Sequence, residues 1–167
     1  GAENEIIVKA DNKARPDVIP VNQNLFGVYG GIYRPVWLIV TEQNNITVTD
    51  CASPGVYITQ KDVSKKSADI TVKVKLDNAG LQPAAVTLEN TIYTQEGRKV
   101  GTHSRSFDLS PQGTQTYLST FKLKNPHLWQ GRKDPYLYKV VCRLMADGKV
   151  IDEVVQPLGV RKYEIVA

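Results

Sequence analysis

The chain has 167 residues, 41% of them hydrophobic and 23% charged, with 12 Gly, 9 Pro and a net charge of +4. That size fits one domain, or one domain with part of another, and the apolar share excludes wholesale disorder. No apolar run approaches the ~18 residues of a membrane-spanning helix. The basic residues are scattered rather than massed between aromatics, which excludes a nucleic-acid surface as the leading reading.

In chain order, residues 5–10 read as a first strand. A stretch with Pro16 and Pro20 follows; proline has no amide to donate, so this stretch is not a central strand. Gly30-Gly31 then lead into residues 32–41, where Val36, Leu38 and Val40 alternate with Trp37 and Ile39. Both faces are apolar, which predicts a strand buried on both sides, ended by Asn44-Asn45.

Beyond that break the spacing becomes regular. Strands are expected at 46–49 running on to 56–59, and at 70–77, 85–94, 105–109, 115–123, 136–146 and 150–160. These runs are rich in Val, Ile, Thr and Tyr, and none carries a sustained helical period. Ile70, Val72, Val74 and Leu76 alternate with Thr71, Lys73, Lys75 and Asp77, giving one dry face and one wet face. Residues 60–69 are polar enough for a loop or one short turn. Glu96-Gly97 and Asp147-Gly148 are turn signals, the latter for a two-residue hairpin.

The expected fold class is all-β. Short strands with turns about every 8–12 residues predict an immunoglobulin-like β-sandwich over 46–167. Residues 1–45 hold two strand candidates, too few to bury an amphipathic face alone. They must pack on the following domain, on another copy through strand exchange, or on a further neighbour. The leading Gly1 resembles the scar of a cut tag, so the chain is expected to be a piece of a longer protein.

The two cysteines, Cys51 and Cys142, form neither a disulfide framework nor a zinc pattern, and two free thiols are expected. Cys142 alternates in step with Tyr138, Val140 and Leu144 and is placed in a core. His103 and His127 have no ligand-like neighbours at metal spacing, so no metal site and no cofactor is expected. Neither histidine has a recognisable Ser, Cys or Asp partner motif, and no phosphate-binding Gly loop is present.

Three stretches carry a resemblance. They are Tyr29-Gly30-Gly31-Ile32-Tyr33-Arg34-Pro35-Val36-Trp37-Leu38, then Asn125-Pro126-His127-Leu128-Trp129 with Asp134-Pro135-Tyr136-Leu137-Tyr138, and last Leu158-Gly159-Val160-Arg161-Lys162-Tyr163-Glu164-Ile165. In order and separation they resemble family 2 of the glycoside hydrolases, the family of β-galactosidases, β-glucuronidases and β-mannosidases. The first is similar to the end of that family's jelly-roll sugar-binding domain. The others are similar to the entry of a late strand and the closing strand of its immunoglobulin-like domain. Residues 1–45 are thereby expected to be the C-terminal part of a jelly roll, and 46–167 the sandwich.

Such enzymes cleave glycosides with two carboxylates, held about 5–5.5 Å apart when the reaction retains configuration. In the family both are Glu residues of a barrel that begins after the position matching Ala167, so the resemblance implies no catalytic residue here. Glu89 with Asp77, and Asp152 with Glu153, read as wet strand faces. The resemblance implies sugar contacts from the loop at residues 22–27, where Asn22 and Asn24 are the candidate substrate-binding residues. The other reading of that loop is a solvent turn. Leu25 stands where many such β-galactosidases carry Asp, which departs from galactose specificity.

The expected function is therefore a non-catalytic scaffold domain of a family 2 β-glycosidase, partnered by the jelly roll and barrel of the parent enzyme. By analogy the parent would be an exported bacterial protein. Two rivals differ in class. One is a freestanding carbohydrate-binding sandwich using an exposed Trp37 or Trp129, although Trp129 reads better as a core cap. The other is a cell-surface interaction domain, since fold alone does not fix function.

Overall fold

Ile70, Val72, Val74 and Leu76, the cleanest alternation in the chain, lie at the centre of the fold and are completely buried. The computed structural model describes residues 3, 5–11, 16–17 and 31–163. The chain divides into two units, Gly1–Val40 and Thr41–Ala167.

The second unit holds eight antiparallel strands and no helix among the described residues. They are β1 (Asn44–Ile46), β2 (Val56–Lys61), β3 (Ser67–Asn78), β4 (Ala84–Tyr93), β5 (Lys99–Leu109), β6 (Gly113–Lys124), β7 (Tyr138–Ala146) and β8 (Lys149–Leu158). In the first sheet β3 pairs along its length with β6, from Ser67↔Lys124 to Asn78↔Gly113. Its other side is divided between β2, opposite residues 69–74, and β1, opposite residues 76–78. The second sheet runs β5-β4-β7-β8. One core joins them: Ile46, Ile70 and Val72 from the first sheet, Leu88, Val140 and Leu144 from the second. This is the expected sandwich. Each such side chain contributes roughly 1.5–3 kcal/mol by leaving water.

Local chemistry explains most strand ends. Asp147 and Gly148 have φ of 50° and 72°, as a two-residue turn that follows the strand twist requires. Pro157 is tolerated because β8 is an edge strand. β5 starts at Lys99, six residues before the expected 105. Its first half, Lys-Val-Gly-Thr-His-Ser, has no apolar alternation because it is an exposed edge. Gly101 within it makes room for Phe121, whose ring a Cβ there would meet at 3.2 Å.

The strand expected from 46 to 59 is interrupted. Thr47 N donates to Lys75 O at 3.0 Å, and Lys75 N donates to Gly55 O at 2.9 Å. The chain therefore leaves the sheet after Thr47 and returns at Gly55, opposite the same residue of β3. The excursion is a small self-packed loop. Asp50 anchors it: one oxygen takes Lys75 Nζ at 2.8 Å and the other takes the Tyr57 hydroxyl. Ser53 N donates to Asp50 O at 2.9 Å, and Ser53 Oγ bonds the Tyr57 hydroxyl at 2.8 Å.

Three further expectations change. Asn44 and Asn45 are not a break; they form β1 with Asn78 and Asp77 as partners. Residues 5–10 and 32–41 are not strands, and every residue of 31–40 is exposed. A β-prone sequence becomes a strand only beside another strand, and no described residue before Asn44 forms one. Both cysteines are free, as expected, with Cys142 fully buried and Cys51 exposed.

Candidate functional site

The family-like motifs converge on the connection between β6 and β7 and on the chain leaving β8. Asn125 turns the chain at a φ of 47°, and its amide donates to Lys66 O at 2.8 Å. His127 then lies flat on Tyr136, ring centres 4.0 Å apart and planes within 3°. The amide of His127 donates to the Tyr138 hydroxyl at 2.8 Å, and its Nε2 lies 2.6 Å from Asp134 Oδ2. Tyr136 meets Tyr138 edge to face at 5.1 Å. Its hydroxyl donates to Glu96 Oε2 and accepts from the Gln95 amide, both at 3.2 Å. A hydrogen bond from Thr94, then one from its own amide, holds the Glu96 carboxyl below its ordinary range, with Tyr136 adding to them. This corner locks the β6–β7 crossover onto the β4–β5 hairpin.

Trp129 follows Leu128, which packs against the core at the adjoining end. The Trp129 amide donates to Val160 O at 2.8 Å, continuing the pairing past the end of β8. Its side chain is half-buried against Gly159, where a Cβ would meet it at 3.2 Å. Arg161 covers the ring, its guanidinium carbon 5.0 Å from the ring centre. Trp129 is thus not the core cap expected of it: the side chain packed against the core here is its neighbour Leu128, while Trp129 lines an outer cleft. Trp37 is 80% exposed.

The strand-face carboxylates are engaged in holding the fold. Asp152 Oδ2 accepts from the Ile46 amide at 2.7 Å, and Oδ1 accepts from the Glu153 amide at 2.8 Å. Glu153 takes Arg143 Nε at 2.6 Å, and Glu89 lies 3.9 Å from another nitrogen of the same guanidinium. Asp77 accepts from Thr114 Oγ1 at 2.5 Å. No group of three or more metal-ligating side chains occurs among the described residues. Asn22 and Asn24 lie outside the described residues.

Sequence reasoning missed both histidine pairings. His127 finds Asp134 across a loop of six intervening residues, and His103 Nδ1 lies 3.3 Å from Ser119 Oγ on β6. Ser119 is buried and also accepts from Asn90 Nδ2 at 2.8 Å. Asn90, His103 and Ser119 come from three strands of two sheets, so no linear spacing announces them. The aspartate before Pro135 was the one legible signal for the first pair. Neither pair carries a nucleophile open to a substrate: the first has none, and the serine of the second is enclosed.

The family model for glycosyl hydrolases family 2 matches residues 53–161. The chain belongs to that family. A β-glucuronidase of Bacteroides fragilis is 38% identical over 98% of this chain, which spans 23% of that enzyme. A solved Bacteroides fragilis protein, provisionally described as a β-galactosidase, is 99% identical with a TM-score of 0.92, over 95% of this chain and 24% of its own. A β-glucuronidase structure from Bacteroides uniformis has a TM-score of 0.86 at 27% identity, over 92% of this chain and 18% of its own. The chain thus spans less than a quarter of each of these family 2 proteins.

Proposed function

We propose that this chain is a non-catalytic scaffold piece of a family 2 β-glycosidase. In that reading residues 46–167 form its immunoglobulin-like domain and residues 1–45 the end of its jelly roll. The observation that carries it is the state of the carboxylates. Asp50, Asp134, Asp152 and Glu153 each hold a structural partner at 2.6–2.8 Å, so none is free to act as a paired acid and nucleophile. The short span of the chain within its relatives agrees. The parent's substrate would be a β-glucuronide or a β-galactoside, and its jelly roll and barrel would be the partners. Asn22 and Asn24 would then face the parent's sugar pocket. The test is a rate assay of this chain on nitrophenyl β-D-glucuronide and β-D-galactoside. No turnover above buffer is expected; turnover abolished by one carboxylate substitution would overturn the reading.

The exposure of Trp37 favours one rival, a freestanding sugar-binding sandwich. Titration of tryptophan fluorescence with neutral galactosides decides it, and Trp37→Ala assigns any signal. Scaffold predicts no saturable change.

A further inference from the structure

Where the chain leaves the second sheet, the cation Arg161 lies against aromatic rings and has no ion pair among the described residues. Its guanidinium carbon lies 5.0 Å from the Trp129 ring centre and 5.8 Å from that of Tyr163. Its backbone is held in place. Gln60 Oε1 accepts from the Arg161 amide at 3.0 Å, and Gln60 Nε2 donates to Gly159 O at 3.2 Å. Two clefts meet at this arginine. One, of 660 Å³, is lined by Gln60, Lys61, Asp62, Arg161, Lys162 and Tyr163. The other, of 410 Å³, adds Trp129, Leu137 and Pro157. Both are of a size that takes a small molecule. The first brings Lys61 and Arg161 to one wall, with Asp62 among its described lining.

We propose that these clefts form a binding site for a sugar acid, with its carboxylate on Arg161. A guanidinium presents two parallel donors to a carboxylate, and its contact with the Trp129 ring restrains it before the ligand arrives. Lys61 adds attraction for an anion over a neutral sugar. The ring of Tyr163, 79% exposed, offers a face for the apolar side of a pyranose. An acidic peptide fits less well. Peptides add to free strand edges, and Gln60 already binds residues 159–161 across the edge of β2. The choice of a sugar among carboxylates rests on the glycosidase reading above; the cationic cleft does not.

The test is an NMR titration of the 167-residue chain with sodium D-glucuronate, D-glucose and sodium acetate. Glucuronate is expected to give saturable millimolar shifts at the Trp129 indole and the Gln60 and Gly159 amides, and glucose none. Arg161→Gln is expected to weaken binding about tenfold, with Arg161→Lys recovering part of it because the charge remains but the fork is lost. Lys61→Gln, which leaves the Trp129 stack intact, is expected to weaken it a few-fold. No saturable shift with glucuronate would overturn the site. Acetate binding as well as glucuronate would overturn the sugar assignment. Failure of the scaffold reading would show elsewhere, as turnover of an aryl glycoside.

Discussion

Asp152 and Ile46, 106 positions apart, share a hydrogen bond of 2.7 Å in which the Ile46 amide donates to the carboxylate. Ile46 ends β1, an edge of the first sheet, and Asp152 lies on β8, an edge of the second. The bond ties the two edges together and blunts one as a template for strand addition. Asp152→Ala is expected to lower unfolding free energy by about 1.5–3 kcal/mol, the loss typical of a hydrogen bond to a charged group. Urea denaturation measures it, and a change within error would show that the bond is dispensable.

The Asp50–Lys75 pin has a pH window. The Lys75 hydrogen bond, then that of Tyr57, draws the Asp50 carboxyl below its ordinary 3.8, so its contribution is whole above 3.8 and fades as pH falls through the lowered value. The same bond raises Lys75 above 10.5, so its contribution is whole below 10.5 and fades as pH rises through the raised value. The melting-temperature gap between wild type and Asp50→Asn should therefore be steady at neutral pH and narrow in acid. An equal gap at every pH would count against the pin.

Gly55 closes the same loop with φ at +69°, and a Cβ there would collide with Thr47 O. Gly55→Ala should cost more than the ~1 kcal/mol of an ordinary left-handed alanine, because backbone must also move. Thermal melts test this, with Gly148→Ala as the control: it has a similar φ of +72° and nothing within 4 Å.

The two thiols should separate cleanly. Burial pushes Cys142 up to about 12, whereas Cys51 is exposed. A disulfide reagent at neutral pH is expected to label one thiol per native chain and both in denaturant. Two labelled native thiols would contradict the closed core.

Core and surface apolar residues should respond differently. Ile70→Ala is expected to cost about 2–5 kcal/mol by opening a cavity between the sheets. Trp37→Ala, at an exposed site, should stay within about 0.5 kcal/mol. Matched denaturation curves decide it.

The sandwich was legible because its signals are local. Alternation over 70–77 sets which side chains of β3 face inward, and Asp147-Gly148 suits only a tight turn. The family motifs were legible for a related reason: short runs of Pro, Trp and Tyr keep their spacing in any context. Residues 32–41 show the limit. Their apolar pattern describes a segment that favours a sheet, yet they remain exposed and unpaired, since pairing depends on a neighbour outside the segment. The loop between Thr47 and Gly55 was hidden likewise, because its anchor Lys75 lies on another strand.

By itself the sequence determined the all-β class, the inward residues of β3, the Asp147-Gly148 turn and the motifs that mark the family. Each follows from a residue's own backbone preference or from a two-residue period, which survive without knowledge of the rest of the chain. Only the tertiary structure decided that Asp152 binds Ile46, that Asp50 binds Lys75, and that Arg161 lies over the Trp129 ring with no ion pair among the described residues. Side-chain hydrogen bonds and charge pairing act over a few ångströms in space, so their partners are set by how the strands pack rather than by distance along the chain.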